Sequence, residues 1–371
     1  MSAHLPITRM WTTAAATRTV RARRSTKFAV QGILAALLLG HSLATAEEVP
    51  PELVRWLGPQ QWQRDVAGPI LSLGPAGQFD DTHIFAPTVA QEAGEFHLWY
   101  CGSRGFAHDL AKQRQRDERV FRLGLATSRD GREFTRHSAE PVFALADARR
   151  SILTPTVLRQ VDGSLLREEG RIRMWFSAGT LGGGGAPHSI HEITSADGVH
   201  WSSPSQVQIE RAYAPTVIKG DDGYHLWYTV PGSYPWLMNH ARSDDGRQWQ
   251  VTPEPVLKVS QEWEHFLQIY PSVLKVGAVY LMWYASYLHE DRETTGIGFA
   301  ASLDGIRWYK HPDNPVLRPD PTRSWESHYV SSHSVMRLPD GTFRIWYASR
   351  KAPPFQNLYF ALNTAEWRGP P

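Results

Sequence analysis

One tripeptide recurs five times along this chain: Pro87-Thr88-Val89, Pro155-Thr156-Val157, Pro215-Thr216-Val217, Pro271-Ser272-Val273 and His333-Ser334-Val335. The intervals are 68, 60, 56 and 62 residues, and self-similarity at a near-constant period is the mark of a repeat architecture. A turn containing glycine and then an aromatic extended run follow each triplet: HLWY, RMWF, HLWY, LMWY and RIWY. In four units a third extended run ends in SRDGREF, SADGVHW, SDDGRQW or SLDGIRW. Asp-Gly between extended runs predicts a tight hairpin of type I′, with positive φ at both central residues. A fourth run commonly closes with EPVF, EPVL or NPVL. No segment after the N-terminal leader has a helical period.

Five four-stranded units of this length predict an all-β, five-bladed β-propeller, in which radial repetition protects the sheet edges. The expected blades span about 80–148, 149–209, 210–262, 263–324 and 325–362. The fifth unit ends before a fourth strand, whereas the segment 58–73 carries one: Trp62 precedes Pro69 by seven residues, as Trp308 precedes Pro315. An N-terminal strand should therefore complete the last blade, making residues 47–371 one propeller domain.

Residues 1–46 read differently. Basic residues up to Lys27 precede the apolar run FAVQGILAALLLGHSL and the small-residue site ATA, the pattern of a signal peptide cleaved after Ala46. Export to the periplasm or the exterior is the expectation, with no stable membrane insertion after cleavage. The leader holds six basic and no acidic residues, so the remainder has 33 basic against 37 acidic side chains, a charge of −4. The basicity belongs to the leader, and nucleic acid is excluded as an expected partner. The single cysteine, Cys101, cannot form an internal disulfide. A monomer is expected.

In a meander of this kind the loops between strands two and three share one rim with the blade-to-blade connections. Here those segments are long and chemically rich, whereas the opposite rim has terse turns. Function concentrates in loops held by a rigid scaffold. Seven residues before the triplet, blades one, four and five carry Asp80, Glu264 and Glu326, where blades two and three have Ala148 and Gln208. Neighbouring carboxylates push one another's pKa values apart and could serve as acid and base. The competing reading makes each acid an acceptor that locks the blade connection. Asp81, Arg150, Glu210, Arg211, His240, His265 and His328 are the further polar candidates for substrate binding. Trp236, which repeats nowhere, is the candidate platform for the apolar face of a sugar. The repeated Trp99, Trp175, Trp227, Trp283 and Trp346 read as core. No metal-ligand spacing stands out, so no cofactor is expected, and a calcium ion in the channel has no sequence support.

The PTV…HLWY, GLATSRDG, GFAASLDG and NPVL elements, with FDD, WEH and WES, resemble the five-bladed propeller glycoside hydrolases, the group containing families 43, 32, 68 and 130. The resemblance covers roughly residues 58–362. It implies a glycosidase acting on an oligo- or polysaccharide by carboxylate acid/base chemistry, with a non-catalytic glycan-binding or envelope-scaffold propeller, or a phosphorylase or lyase, as alternatives. Family 43 enzymes have an aspartate immediately before the blade-one proline. Ala86 stands there, with Thr154, Ala214 and Tyr270 before the next three prolines. The catalytic assignment therefore moves to Asp80, Glu264 and Glu326.

Overall fold

The computed structural model describes residues 48–104, 119–181, 188–232, 234–351 and 360–370. The leader and parts of three long loops, 105–118, 182–187 and 352–359, lie outside the described residues. A short helix, α1 (Pro51–Val54), and a single 3₁₀ turn at Arg55–Leu57 precede the strands.

The described residues form five antiparallel four-stranded sheets. After β1 (Leu71–Ser72) come β2 (His83–Glu92), β3 (Glu95–Ser103), β4 (Arg122–Ser128) and β5 (Thr135–Arg136) as blade one. Blade two is β6 (Ser151–Val157), β7 (Ile172–Gly179), β8 (Ser189–Ser195) and β9 (Ile209–Glu210). Blade three is β10 (Tyr213–Gly220), β11 (Gly223–Val230), β12 (Leu237–Ser243) and β13 (Gln250–Val251). Blade four is β14 (His265–Val276), β15 (Val279–Tyr287), β16 (Thr295–Ser302) and β17 (Tyr309–Lys310). Blade five takes β18 (Tyr329–Arg337), β19 (Phe343–Arg350) and β20 (Ala361–Trp367), and β1 completes it by pairing Leu71 with Leu362. A second bridge, Gln63 to Glu366, extends that closure towards Trp62. Successive first strands touch around a closed circuit, β2 to β6 to β10 to β14 to β18 and back to β2.

The triplet has a physical meaning in this ring. The residue before it adopts a left-handed backbone in every blade: Ala86, Thr154, Ala214, Tyr270 and Ser332 have φ of +52°, +48°, +52°, +59° and +41°. At the same point each first strand slips register against its neighbour, as a β-bulge does. Beyond the bulge, the triplet hydroxyl accepts a hydrogen bond from the valine N–H of the next blade. Thr88 takes Val157 N–H at 3.2 Å, Ser334 takes Val89 N–H at 3.3 Å, Ser272 takes Val335 N–H at 3.1 Å, and Thr216 takes Val273 N–H at 3.5 Å.

The repeated tryptophans form a second ring farther out. Trp99, Trp175, Trp227 and Trp346 donate their indole N–H to the carbonyls of Gly198, Gly246, Gly305 and Gly131, each in the Asp-Gly turn of the next blade. Those turns are not the expected type I′ hairpins. Only the glycine has positive φ, +71° at Gly131, and β4 and β5 are joined by a wider loop. Asp130 Oδ1 accepts the N–H groups of Arg132 and Glu133 while Ser128 Oγ accepts that of Gly131. The side chains thus satisfy the loop that a two-residue turn would have closed by backbone alone.

Candidate functional site

Asp80, Glu264 and Glu326 sit at equivalent places in three blades and share one pattern of contacts. Each is sequestered from solvent, at 0%, 4% and 0% exposure. Tyr100 OH donates to Asp80 Oδ2 at 2.7 Å, Tyr284 OH to Glu264 Oε1 at 2.8 Å, and Tyr347 OH to Glu326 Oε2 at 2.8 Å. A cation from the outer edge of the same blade completes each group: Arg136 on Asp80 at 2.8 Å, Lys310 on Glu264 at 2.6 Å, and Arg64 on Glu326. The N–H groups of Ser260 and Gln261 also bond Glu264 Oε2. Burial raises the Glu326 carboxyl above the ordinary carboxylate range, against the pull of Arg64, and drives Tyr284 and Tyr347 upward. In blades one and four, room for the latch comes from the glycine opposite the phenol, Gly124 and Gly298. A Cβ on Gly298 would lie 2.5 Å from the Trp263 ring and 3.0 Å from Tyr284. Blade two, with Ala148 in place of the acid, also has Phe176 in place of the phenol. Blade three keeps the phenol, Tyr228, although Gln208 replaces its acid. Where acid, phenol and cation occur together, in blades one, four and five, they form a latch tying strand two to strand four. Each acid bonds within its own blade, and no contact between the three is present among the described residues.

Four of the remaining candidates lie on the long-loop rim. Trp236 is half-buried beside the mouth, with its ring parallel to that of Tyr234 (5.8 Å between centroids, 13° between planes). His265 and His328 are half-buried where β14 and β18 begin, and Arg211 is exposed in the left-handed region at φ +53°. Glu210 is exposed on β9, the outer strand of blade two, opposite Ser189. Asp81 caps its own loop, accepting from Gly77 N–H at 2.7 Å and from Thr82. Arg150 is half-buried just before β6. His240 departs from the expectation. It is 1% exposed, inside β12, against Trp227 and bonded to His225 and Thr252. Strand alternation turns its side chain into the blade, so it cannot meet a ligand at the rim. Burial, and then the neighbouring His225, depress it to about 3.

The mouth also contains groups that the repeat pattern did not single out. Tyr213 and Tyr270 approach hydroxyl to hydroxyl at 3.4 Å. Tyr213 meets Trp236 edge-on at 6.5 Å and His188 at 4.7 Å. Arg292 stacks over Phe266 at 3.8 Å and over Tyr234 at 4.7 Å. On the blade-one side His83 bonds Arg119 at 2.6 Å, and burial followed by Arg119 and Arg350 holds it well below the ordinary imidazole range. Beneath the mouth the axis narrows to a space of about 30 Å³ between the residues before the triplets and their prolines. That is room for about one water molecule, so the axis is closed to anything larger. Among the described residues, no group of three or more His, Cys, Asp or Glu could hold a metal ion.

The fold is that of a five-bladed propeller similar to those of solved glycoside hydrolases. A solved glycoside hydrolase matches 85% of this chain and 96% of its own, with 17% identity and a TM-score of 0.66. A structure from the family 130 mannoside phosphorylases, described with hydrolases that target β-1,2-mannosidic linkages in Candida mannan, matches 86% and 95% at 14% identity and a TM-score of 0.61. The N-acetylgalactosamine deacetylase of F. plautii, in complex with blood group B trisaccharide, matches 82% and 95% at 16% identity, also with a TM-score of 0.61. In sequence, an uncharacterized protein of Mycobacterium tuberculosis is 29% identical over 247 residues, covering 63% of this chain and 76% of its own. No family model matches the chain.

Proposed function

We propose that this chain is an exported, glycosidase-like propeller that binds an oligo- or polysaccharide across its long-loop mouth. The observation that carries the proposal is the aromatic lip made by Tyr213, Trp236, Tyr234 and Tyr270 above a closed axis. Flat rings with polar edges suit the alternating apolar faces and hydroxyls of a sugar. The carbohydrate-acting neighbours of the same fold support the substrate class. Export rests on the leader read from the sequence.

Hydrolysis requires one carboxylic acid to protonate the leaving oxygen and a carboxylate to activate water or attack the sugar. Asp80, Glu264 and Glu326 were the sequence's candidates. Their commitment to phenols and cations favours a second reading, glycan binding without turnover by these three groups. The decisive experiment screens the protein against a glycan panel for binding and for released product, alongside D80N, E264Q and E326Q. If the acids are latches, each variant melts lower and retains product release in proportion to its folded fraction. Loss of all release from a fully folded variant assigns that acid to the chemistry instead. Absence of both binding and release across plant, algal and microbial glycans removes the carbohydrate proposal.

A further inference from the structure

We propose that the opposite end of the channel holds a binding site for a tetrahedral oxyanion, phosphate or sulfate. Where the first strands of blades two, three and four end, a cavity of about 230 Å³ opens among Thr156, Arg159, Thr216, Val217 and Lys275. The site lies at the blunt end of the axis, away from the aromatic lip, and does not rest on the glycan reading.

Three independent features point to an anion. The first is a gap in the hydroxyl ring. Four blade junctions are closed by a valine N–H on a triplet hydroxyl, but among the described residues the fifth link, Val217 to Thr156, is not made. Both residues line the cavity, which leaves the Thr156 hydroxyl there as a donor. The second is Arg159. It spans from blade two to blade five, where Nη2 donates to the Val335 carbonyl at 2.5 Å and to Ser334 Oγ at 3.3 Å. Its Nη1 is buried and has no acceptor. Arg159 is half-buried and makes no ion pair among the described residues, Asp162 acting on it only through space. An unpartnered guanidinium nitrogen out of water is costly unless an anion completes it. The third is charge. Lys275, held 5.0 Å over the Tyr280 ring, and Lys219 line the same space. Glu168 already pairs with Lys219, so Arg159 and Lys275 are the cations left for a ligand. The acids that oppose them are Asp162, whose charge acts on Arg159, and the exposed Asp221 at the edge. Guanidinium, ammonium and hydroxyl donors around a space of this size suit the oxygens of phosphate or sulfate.

The test is isothermal titration of sodium phosphate and of sodium sulfate into the purified chain, with ionic strength fixed by sodium chloride. Single-site saturable binding of either anion is expected. R159K keeps the charge but loses the fork, and K275M removes a peripheral charge; each should weaken binding at least about tenfold, in line with the loss of one charge-assisted hydrogen bond. Glucose 6-sulfate distinguishes the source. Affinity equal to that of inorganic sulfate marks a site for sulfated sugars, and loss of affinity marks a free-ion site. Heat only from non-saturable association overturns the proposal, as does unchanged affinity in K275M and R159K. K275M keeps the test valid if near-UV circular dichroism shows R159K to be misfolded.

Discussion

The indole N–H of Trp283 donates to Gln60 Oε1 at 3.3 Å, and the same oxygen accepts the Trp62 indole at 3.1 Å. In the other four blades the equivalent tryptophan finds a backbone carbonyl in the Asp-Gly turn of the next blade. Blade five has no such turn, and the segment that closes it offers a side-chain amide instead. The ring of tryptophan staples is therefore finished by a residue upstream of every blade. The Gln60→Ala variant should lose about 1 kcal/mol through the unmade hydrogen bond and the buried donors left behind. Trp283→Ala should lose about 3–5 kcal/mol through the cavity. Urea unfolding of both variants checks the order, and an unchanged midpoint in Gln60→Ala would count against the staple.

The latch predicts a specific asymmetry in blade four. Glu264→Gln leaves Lys310, a side chain with 9% exposure, without its counter-charge. Breaking a buried pair from one side costs about 3–5 kcal/mol, whereas replacing all partners with apolar groups can be near neutral. Blade two already shows the apolar solution in Ala148 and Phe176. The triple variant Glu264→Leu, Tyr284→Phe, Lys310→Met should therefore melt closer to the parent than Glu264→Gln does. Differential scanning calorimetry of the two variants decides it.

How much of this was legible in advance follows from range. The triplets, the tryptophans and the closing strand repeat at fixed intervals, so five blades could be counted. The acids were visible as positions, but their role was not. Their partners come from distant segments, Lys310 lying 46 residues from Glu264 and Arg64 lying 262 from Glu326, and nothing in the local pattern joins them. His240 follows a rim loop by four residues, and only strand register shows that it turns inward. The aromatic lip was missed apart from Trp236 because Tyr213 and Tyr270 stand at repeat positions filled by other residue types in the other blades, and Tyr234 lies in a rim loop. The one available signal was Tyr270 itself, the large residue before a triplet where blades one and three have alanine.

Buried histidines, among them His83, His240 and His333, set a pH dependence. His240 is held at about 3 and His333 at about 4, burial being the largest cause for each, against an ordinary value of 6.5. Both therefore fold neutral, and the unfolded chain takes up protons first. The stability they contribute is complete above about pH 6.5 and is lost as pH falls towards 4 and then 3. Each proton contributes a slope of at most about 1.4 kcal/mol per pH unit. Denaturant unfolding at pH 7.5, 6.5, 5.5 and 4.5 should show stability falling below pH 6.5. His240→Gln should flatten that fall by about one proton, and an unchanged slope would mean that His240 titrates normally.

Tyr234 offers the cleanest test of the mouth because its ring is 50% exposed and stacks on Trp236 without filling the core. Removing it costs little folding energy, since surface changes away from caps and cavities stay within about 0.5 kcal/mol. A sugar resting on the parallel pair would lose one aromatic contact, worth about 0.5–1.5 kcal/mol, or roughly two- to twelvefold in affinity. Tyr234→Ala should therefore weaken binding of a responsive glycan several-fold while the melting temperature stays within about 1 °C of the parent. Trp236→Ala should weaken binding further and melt lower, because that ring also packs on Tyr213. Glycan affinity unchanged in both variants would place the sugar elsewhere on the ring.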